Sequence, residues 1–543
     1  MKSMAARDFK ICILAAGRGT RNAFSANIPK GLLPIHNKPV ISHLIENCNP
    51  SVEIVVAVGH QAQILKEFFS VTYPERKITF IDVDKYEGIG SGPGYSLLCC
   101  RNALQTPFIL LPTDAYIEEK LEPTDYANPQ TTNWIGVSPV EDGRSFCLVE
   151  HSKGVVTGFC DKLTNPPPTL LKTAYNGIAF IKDFKEFFNA LGTAARATES
   201  EKQVADGFKG LLPLGLHLKK IPSWHDTGTT ESYRKIFSKC KDQQLVKTEE
   251  LTYLYKNRVI KFHHDPQFIQ KKVSRARQLK GLVPEIDLSL EHFLRYKYIP
   301  GHLLSEEQSP EKFQQILDQA NDSFFKRLQL QEHERQTFKN NCNDFYCKKT
   351  LKRVNDFLSK FQFNDNEHII NNYTCPPVGE LLDEVDWNKL VDESIPTNFH
   401  GDLQPENILI SAQPDCAGKA VFLDWRHECI NDSNIGDLYY DFAKLKHALI
   451  ICGQVIRENR YSFHENAKRD ITLTFDRKPN LTLFLAILDN FIKANGYSNE
   501  RCDLITALIY LNIAPFYDEY YAKFLFYFGK LCLSRCLNGH QII

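Results

Sequence analysis

The chain has no surplus of charge: its 65 Lys and Arg residues are balanced by 65 Asp and Glu. That excludes the broad electrostatic field by which a protein gathers nucleic acid or anionic membrane, so any basic residue that matters must act locally. Zinc-knuckle spacing is also missing. None of the 16 cysteines stands in a Cys-x2-Cys pair, and neither Cys99 with Cys100 nor Cys342 with Cys347 has that separation, which favours thiols in a reducing cytosol. The opening MKSMAARDFK has no apolar signal core and runs into ICILAAG, a strand too short for a membrane span. Later apolar stretches such as LTLFLAILDNFIKA fall short of roughly 18 residues and are broken by charge. There is no internal repeat and no low-complexity tail. A soluble cytoplasmic protein is expected, with neither nucleic acid nor membrane as partner; nothing in the composition speaks to oligomeric state.

What is present is length. A single hydrophobic core stops growing at roughly 250–300 residues, so 543 residues imply at least two domains. From Phe9 to about Ile236, β-branched runs (KICILAAG, VEIVVAVGH, KITFIDV, TPFILLPTD, TNWIGVSPV) alternate with helix-like stretches, the signature of a Rossmann-like α/β domain with a mainly parallel sheet. Two turn-rich interruptions stand out, GIGSGPGYS at 88–96 and DKLTNPPPTL at 161–170. The polar stretch SKCKDQQLVKTEEL marks a join, giving domains at 8–239 and 247–543. The second opens on a strand-like TYLYKNRVIKF, continues through a helical block from Ser309 to Phe363, and is helical again from Leu481. It divides at about 305 into an α+β lobe and a helical lobe.

The strand Ile11–Leu14 empties into AAGRGTR, then Pro29-Lys30. Small residues (Ala15, Ala16, Gly17, Gly19, with Thr20) let backbone N–H groups approach an oxyanion closely, and Arg21 and Lys30 add positive charge. This string resembles the opening L-A-A-G-x-G-T-R and P-K of the sugar-phosphate nucleotidyltransferase family. Four further landmarks follow in the family's order over about 225 residues: GSGPGYS, LPTDAYI, YNGIAFI and WHDTGTTESY. The resemblance implies that Gly90, Ser91 and Gly92 contact base and ribose, that Asp114 and Asp226 hold Mg²⁺, and that Asn176 and Gly177 contact substrate. Lys30 and Arg21 would stabilise the departing pyrophosphate. Lys162 lies where the family often has a phosphate-contacting lysine in E-K-P, but Asp161 and Leu163 flank it here. Taken singly, Asp114 has the alternative of a helix cap and Asp226 that of a turn residue, and the glycine loop upstream favours the site.

The string NFHGDLQPENILI, followed by VFLDWRHE, resembles the H-G-D-x-x-x-x-N and I/L-D-W motifs of the aminoglycoside phosphotransferase and choline kinase family, a relative of protein kinases with a bilobal fold. The resemblance implies that Asp402 is the base for an acceptor hydroxyl and that Asn407 and Asp424 hold Mg²⁺ on ATP. In GDLYYDFAKL, Asp437 and Asp441 are expected to cap and hold the catalytic loop. Lys261 in RVIKFHHD would grip the α- and β-phosphates, and Tyr298 and Ile299 in RYKYIPGHLL would read adenine. Relatives place a Glu on the following helix to orient the lysine, yet PQFIQKKVSRARQLKGLVP holds no acidic residue, leaving Glu285 as another partner. No glycine-rich flap precedes Lys261, and no D-F-G or A-P-E phrase points to a protein kinase.

Fusing the two activities makes chemical sense, because the kinase product is a phosphate monoester and the nucleotidyltransferase consumes one. The expected partners are an NTP (CTP, UTP, GTP or dTTP), ATP, and a sugar or alcohol with its phosphate; the cofactor is Mg²⁺. A sugar-like acceptor ranks first and an amino alcohol such as choline second. The aromatic run from Tyr510 to Phe528 reads as packing rather than as an ammonium cage. A third reading makes one domain a regulatory or binding module for the other.

Overall fold

The computed structural model describes residues 9–118, 132–140, 143–161, 173–194, 201–240, 249–428, 433–466 and 469–542. By their contacts the residues fall into two compact units, Met1–Ile269 with Asp287–Tyr296, and Gln270–Ile286 with Lys297–Ile543. Among the described residues no helix is long and apolar enough to cross a membrane, and every cysteine is a free thiol.

The first unit begins with β1 (Lys10–Ala15), α1 (Val40–Glu46), β2 (Ile54–Val58), α2 (Ala62–Thr72), β3 (Ile78–Asp82), α3 (Pro93–Cys99) and β4 (Phe108–Pro112). These four strands are mutually parallel in the order β3-β2-β1-β4. Alternation along them feeds two cores: Ile11, Ile13, Val56 and Val58 face one side, Cys12, Val55 and Ala57 the other.

Beyond β4 the expectation of a mainly parallel sheet is corrected. Short β5 (Ala115–Ile117) leaves the sheet, and β6 (Asn133–Ser138), β7 (Cys147–Ser152), β8 (Val155–Asp161), β9 (Ala174–Ile181) and β10 (Leu216–Lys220) extend it to nine strands in the order β3-β2-β1-β4-β9-β6-β10-β8-β7. Only β6 and β10 run parallel there; β9 is antiparallel to β4 and β6, and β8 to β7 and β10. Local chain geometry causes it: β7 and β8 are joined through Lys153 and Gly154, both at positive φ, a tight hairpin turn that permits only antiparallel pairing. Helices α4 (Phe184–Thr193) and α5 (Ala205–Lys209) lie between β9 and β10. β11 (Trp224–Asp226) then pairs with β5, and α6 (Thr230–Phe237) follows.

Past the polar stretch come β12 (Glu250–Tyr255) and β13 (Arg258–His263), then α7 (Pro266–Gln278), β14 (Ile286–Ser289) and β15 (Phe293–Lys297), in a four-stranded sheet ordered β12-β13-β15-β14. This sheet shares the first unit's core. Tyr253 and Phe293 meet Phe68 of α2 at centroid distances of 5.7 and 6.3 Å, and Tyr255 meets Tyr73 at 4.9 Å. The Tyr253 hydroxyl lies 3.1 Å from Thr72 Oγ1, the backbone N–H of His292 donates to Glu67 Oε2 at 2.9 Å, and Arg295 donates to the Val71 carbonyl at 2.8 Å.

In the second unit a three-stranded sheet, β16 (Gly301–Leu303), β17 (Ile408–Ser411) and β18 (Ala420–Phe422), carries the loops of interest. Around it stand α8 (Pro310–Asn321), α9 (Glu332–Asn343), α10 (Lys349–Lys360), α11 (Leu438–Ile450), α12 (Pro479–Ala494), α13 (Asn499–Ile513) and α14 (Glu519–Leu537). Most of the aromatic run is core: Tyr510, Tyr521, Phe524, Phe526, Tyr527 and Phe528 are buried, with Phe526 stacked on Phe357 at 4.4 Å, whereas Phe516 and Tyr520 are exposed.

Candidate active sites

The loop after β1 leaves the sheet where the strand order reverses between β1 and β4, the switch point at which open α/β sheets bind ligands beyond their strand ends. Ala15 and Ala16 are buried, and the Ala16 carbonyl accepts the His60 N–H at 2.9 Å. Gly17, Thr20 and Arg21 are exposed. A side chain at Gly17 would meet nothing within 4 Å, so that face of the backbone is open. Gly19 is different. Its φ is +71°, and a Cβ there would stand 2.9 Å from Ser25 Oγ, the hydroxyl that donates to the Gly19 carbonyl at 2.8 Å.

The same loop is stitched to the segment after β11. Thr230 N–H donates to the Arg21 carbonyl at 3.1 Å, Asn22 Nδ2 to the Thr227 carbonyl at 3.1 Å, and Thr227 N–H to the Asp114 carbonyl at 2.9 Å. These bonds bring the carboxylates together: a Cβ on Gly228 would lie 3.0 Å from both Asp114 Oδ2 and Asp226 Oδ1. Lys30 donates to Asp114 Oδ2 at 2.7 Å. Burial pushes the Asp114 carboxyl up, but the charge and hydrogen bond of Lys30 outweigh it and hold the group below the usual range. Asp226 moves the other way. Burial, then the like charge of Asp114, raise it, against the Gly228 N–H and the Ser232 hydroxyl it accepts at 3.0 and 3.1 Å.

Gly90, Ser91 and Gly92 form the turn into α3, with φ of +79° and +108° at the two glycines. Ser91 is buried and donates to the Gly88 carbonyl at 2.7 Å, and its own carbonyl accepts the Lys202 N–H at 2.8 Å. A Cβ on Gly92 would stand 2.8 Å from the Lys202 carbonyl, so this glycine admits the 201–203 segment. Asn176 is 3% exposed, with its amide committed to Ser138 Oγ and the Ile178 N–H, both at 3.1 Å. Gly177, at φ +89°, lies against Pro112; the pair forms the irregularity in β9 where its register with β6 shifts. Lys162 lies outside the described residues.

Sequence reasoning missed three neighbours of this loop. Gly59 packs between the Ala16 carbonyl and Tyr86, His60 sits 6.2 Å from the Tyr86 ring, and Arg18 pairs with Glu87 at 2.7 Å. The end of β2 in VAVGH was the available signal.

In the second unit, Asp402 and Asn407 meet. Asn407 Nδ2 donates to the Asp402 carbonyl at 2.9 Å and to its Oδ2 at 3.1 Å, and Gln404 Nε2 reaches the same Oδ2 at 3.1 Å. Lys444 of α11 pairs with Oδ1 at 2.7 Å. Burial pushes this carboxyl up, but the charge and hydrogen bond of Lys444 more than offset it and hold the group well below the ordinary carboxylate range. The segment carrying Asp424 is laid alongside by two backbone bonds, Leu423 N–H to the Asn407 carbonyl at 2.7 Å and Arg426 N–H to the His400 carbonyl at 2.9 Å. Asp424 itself sits at φ +53°, a left-handed conformation uncommon for a residue with a side chain.

Of the two aspartates expected to cap and hold this loop, Asp437 caps α11 and bonds outside the loop, whereas Asp441 bonds the loop backbone. Asp437 accepts from the Ile395 N–H at 2.8 Å and Tyr346 OH at 2.8 Å; Asp441, fully buried, accepts the N–H groups of His400 and Gly401 at 2.6 and 2.7 Å. Helix α7, which has no acidic residue, packs on the loops with its cations. Lys271 pairs with Glu428 at 2.8 Å, Lys272 lies 5.2 Å over the Trp425 ring, and Arg275 donates to the Phe399 carbonyl at 2.8 Å. Lys261 stands in β13 opposite Thr252, half-buried, and belongs to the first unit. Tyr298 is exposed and Ile299 half-buried, in the connection from β15 to β16.

Residues 11–121 match a family model described as the MobA-like NTP transferase domain. The chain is 27% identical over 225 residues to "Bifunctional protein GlmU" of Methanococcus maripaludis strain C5, covering 40% of this chain and 50% of the relative. It is 28% identical over 233 residues to the protein of that name from Methanococcus vannielii, covering 40% and 51%. The chain thus spans about half the length of the curated relatives it matches. Similar solved structures include a putative glucose-1-phosphate thymidylyltransferase from Bacillus anthracis, with 19% identity over 44% of this chain and 98% of that one at a TM-score of 0.38. Another is the CTP:phosphocholine cytidylyltransferase of Streptococcus pneumoniae, with 20% identity, 43% and 100% coverage and a TM-score of 0.34. The switch-point loop thus lies within the stretch, residues 11–121, that is similar to the MobA-like NTP transferase domain.

Proposed function

We propose that the chain is a bifunctional enzyme, a nucleotidyltransferase over residues 8–239 and a small-molecule kinase over 247–543, which activates a sugar or sugar-like alcohol in two steps. The observation that carries the first half is the gathering of Lys30, Asp114 and Asp226 around Gly228, beside an exposed glycine loop at the switch point.

In the nucleotidyl transfer, an oxygen of a phosphate monoester attacks the α-phosphorus of an NTP and the bond to the β,γ-pyrophosphate breaks. The protein supplies alignment and charge rather than a nucleophile. Backbone N–H groups from Gly17 to Thr20 face the triphosphate, Arg21 and Lys30 offset charge on the leaving pyrophosphate, and Gly90 to Gly92 border the nucleoside. Asn176 and Gly177 shape the substrate side from within the sheet, and Lys162 contacts the substrate phosphate. Asp114 and Asp226 fit Mg²⁺: two hard oxygen donors converge on Gly228, where burial and then the like charge of Asp114 raise Asp226. Among the described residues no group of three or more His, Cys, Asp or Glu side chains forms a protein-only metal site, which suits an ion completed by phosphate oxygens and water. Bound there, the ion supplies charge neutralisation to the phosphates.

The kinase half rests on the contact of Asp402 with Asn407 and on the backbone bonds that bring Asp424 alongside. The acceptor oxygen attacks the γ-phosphorus of ATP, the bond to the β-phosphate oxygen breaks, ADP leaves, and the hydroxyl proton passes to Asp402. Asn407 and Asp424 would hold Mg²⁺, and Tyr298 and Ile299 the adenine.

The test is reciprocal. Asp402→Ala abolishes ATP-dependent phosphorylation and leaves pyrophosphate release from added phosphomonoester intact; Asp114→Ala does the reverse, by about a thousandfold. Screening CTP, UTP, GTP and dTTP against sugars and amino alcohols identifies base and acceptor. Loss of both activities in either folded variant would refute two independent sites.

A further inference from the structure

Helix α11 is buried along its whole length and presents two side chains of opposite charge, one turn apart, to the 400–402 loop. Asp441 fixes the backbone of His400 and Gly401, while Lys444 reaches the side chain of Asp402. The Asp402 carboxylate is thereby divided. Its Oδ1 is taken by Lys444 at 2.7 Å, and its Oδ2 edge is shared by Asn407 and Gln404, each at 3.1 Å.

Stability does not account for the pair. Lys444 is 8% exposed, and the cost of desolvating a lysine and a carboxylate is returned by their attraction only in part, so well-packed apolar residues would serve the fold as well. What the pair does is remove a degree of freedom. A carboxylate held at one oxygen cannot rotate, and the rotation it loses is the one that would misdirect the oxygen facing Asn407.

We infer that Lys444 is a positioning residue of the phosphotransferase site: by holding Oδ1 of Asp402 it turns Oδ2, with Asn407, toward the acceptor hydroxyl. The inference rests on the kinase reading above. Lys444 acts through Asp402 and touches no substrate in this role.

The experiment uses the full chain, Mg²⁺-ATP as the probe and ADP release to water as the readout. K444M lowers kcat by about a hundredfold with the KM for ATP unchanged within about threefold, and K444R, which keeps the charge, recovers most of the loss. Pyrophosphate release at the first site, measured on the same preparations, stays at the wild-type rate, and an unchanged urea midpoint of the second unit reports that its fold is intact. The decisive comparison is D402N against D402N/K444M. Equal rates support action through Asp402, whereas a further drop in the double variant, or wild-type kcat in K444M, overturns the inference. If K444M does not fold, K444Q and K444R carry the same comparison. Absence of ADP release from the wild-type chain, with the panel of sugars and amino alcohols also present, is a separate result: it removes the kinase reading itself, and this inference with it.

Discussion

The two sites are built in opposite ways. In the first unit the loop from Gly17 to Arg21 is exposed, is anchored by backbone bonds to a neighbouring loop, and carries its charge on side chains that reach solvent. In the second, the loop from His400 to Asn407 is gripped from below by buried side chains of α11. An exposed glycine loop can close on a large polyanion by small backbone shifts, whereas a gripped loop presents one fixed carboxylate edge. The first arrangement suits a triphosphate that brings its own geometry. On the proposed reading, the second suits an acceptor hydroxyl that must be aimed.

That contrast can be broken most sharply at Asp441. Asp441→Ala leaves two buried N–H groups without an acceptor, each worth about 1–3 kcal/mol, so a loss of about 3 kcal/mol is expected in urea unfolding of the second unit. Nucleotidyl transfer should persist at denaturant concentrations where ADP release has gone; simultaneous loss would mean that the loop is held by something else.

Acid sharpens it further. His400 is fully buried, and burial is the main cause that brings its imidazole down to about 4. A depressed histidine favours folding above its unfolded pKa of about 6.5 and gives that stability up as pH falls toward the folded value. Between pH 7 and 5 the wild type should therefore lose about 2 kcal/mol more than His400→Gln, since the variant has nothing to protonate there. Identical pH dependence of the two unfolding midpoints would show that His400 is not buried as described.

The smallest effect belongs to the exposed loop. Arg18 and Glu87 are each more than half exposed, with side-chain values of 51% and 56%, so solvent screens their pairing. Arg18→Ala should leave the melting temperature within error. A clear fall in calorimetry would mean that the first loop is gripped after all, and the contrast would fail.

The phrases AAGRGT, LPTDA and WHDTGT were legible because each packs its chemistry into a few consecutive residues, and the backbone bonds that join them in space follow from a sheet that its β-branched runs already announce. Asn176 shows the limit. Its place in YNGIAFI suggests an outward amide, but a bulge opposite β6, set by partners 38 residues away, turns that amide into Ser138. Lys444 was printed in GDLYYDFAKL, three residues after Asp441, yet its partner lies 42 positions earlier and no local pattern connects the two. The parallel half of the large sheet was readable from alternation, while the mixed half depended on which turns were tight. The polar stretch after α6 looked like a divider, and composition could not reveal that the strands beyond it bury their rings against α2.

That last packing bears on how such a chain can be taken apart. A cut at the polar stretch would strip Tyr253, Tyr255, Phe262 and Phe293 from the surface formed by Phe68, Phe69 and Tyr73, leaving an aromatic wound on one fragment. On the other fragment the strand that bears Lys261 would lose its bed. A break at the most obvious seam therefore yields two poor folders, because the strands beyond it belong with the first unit.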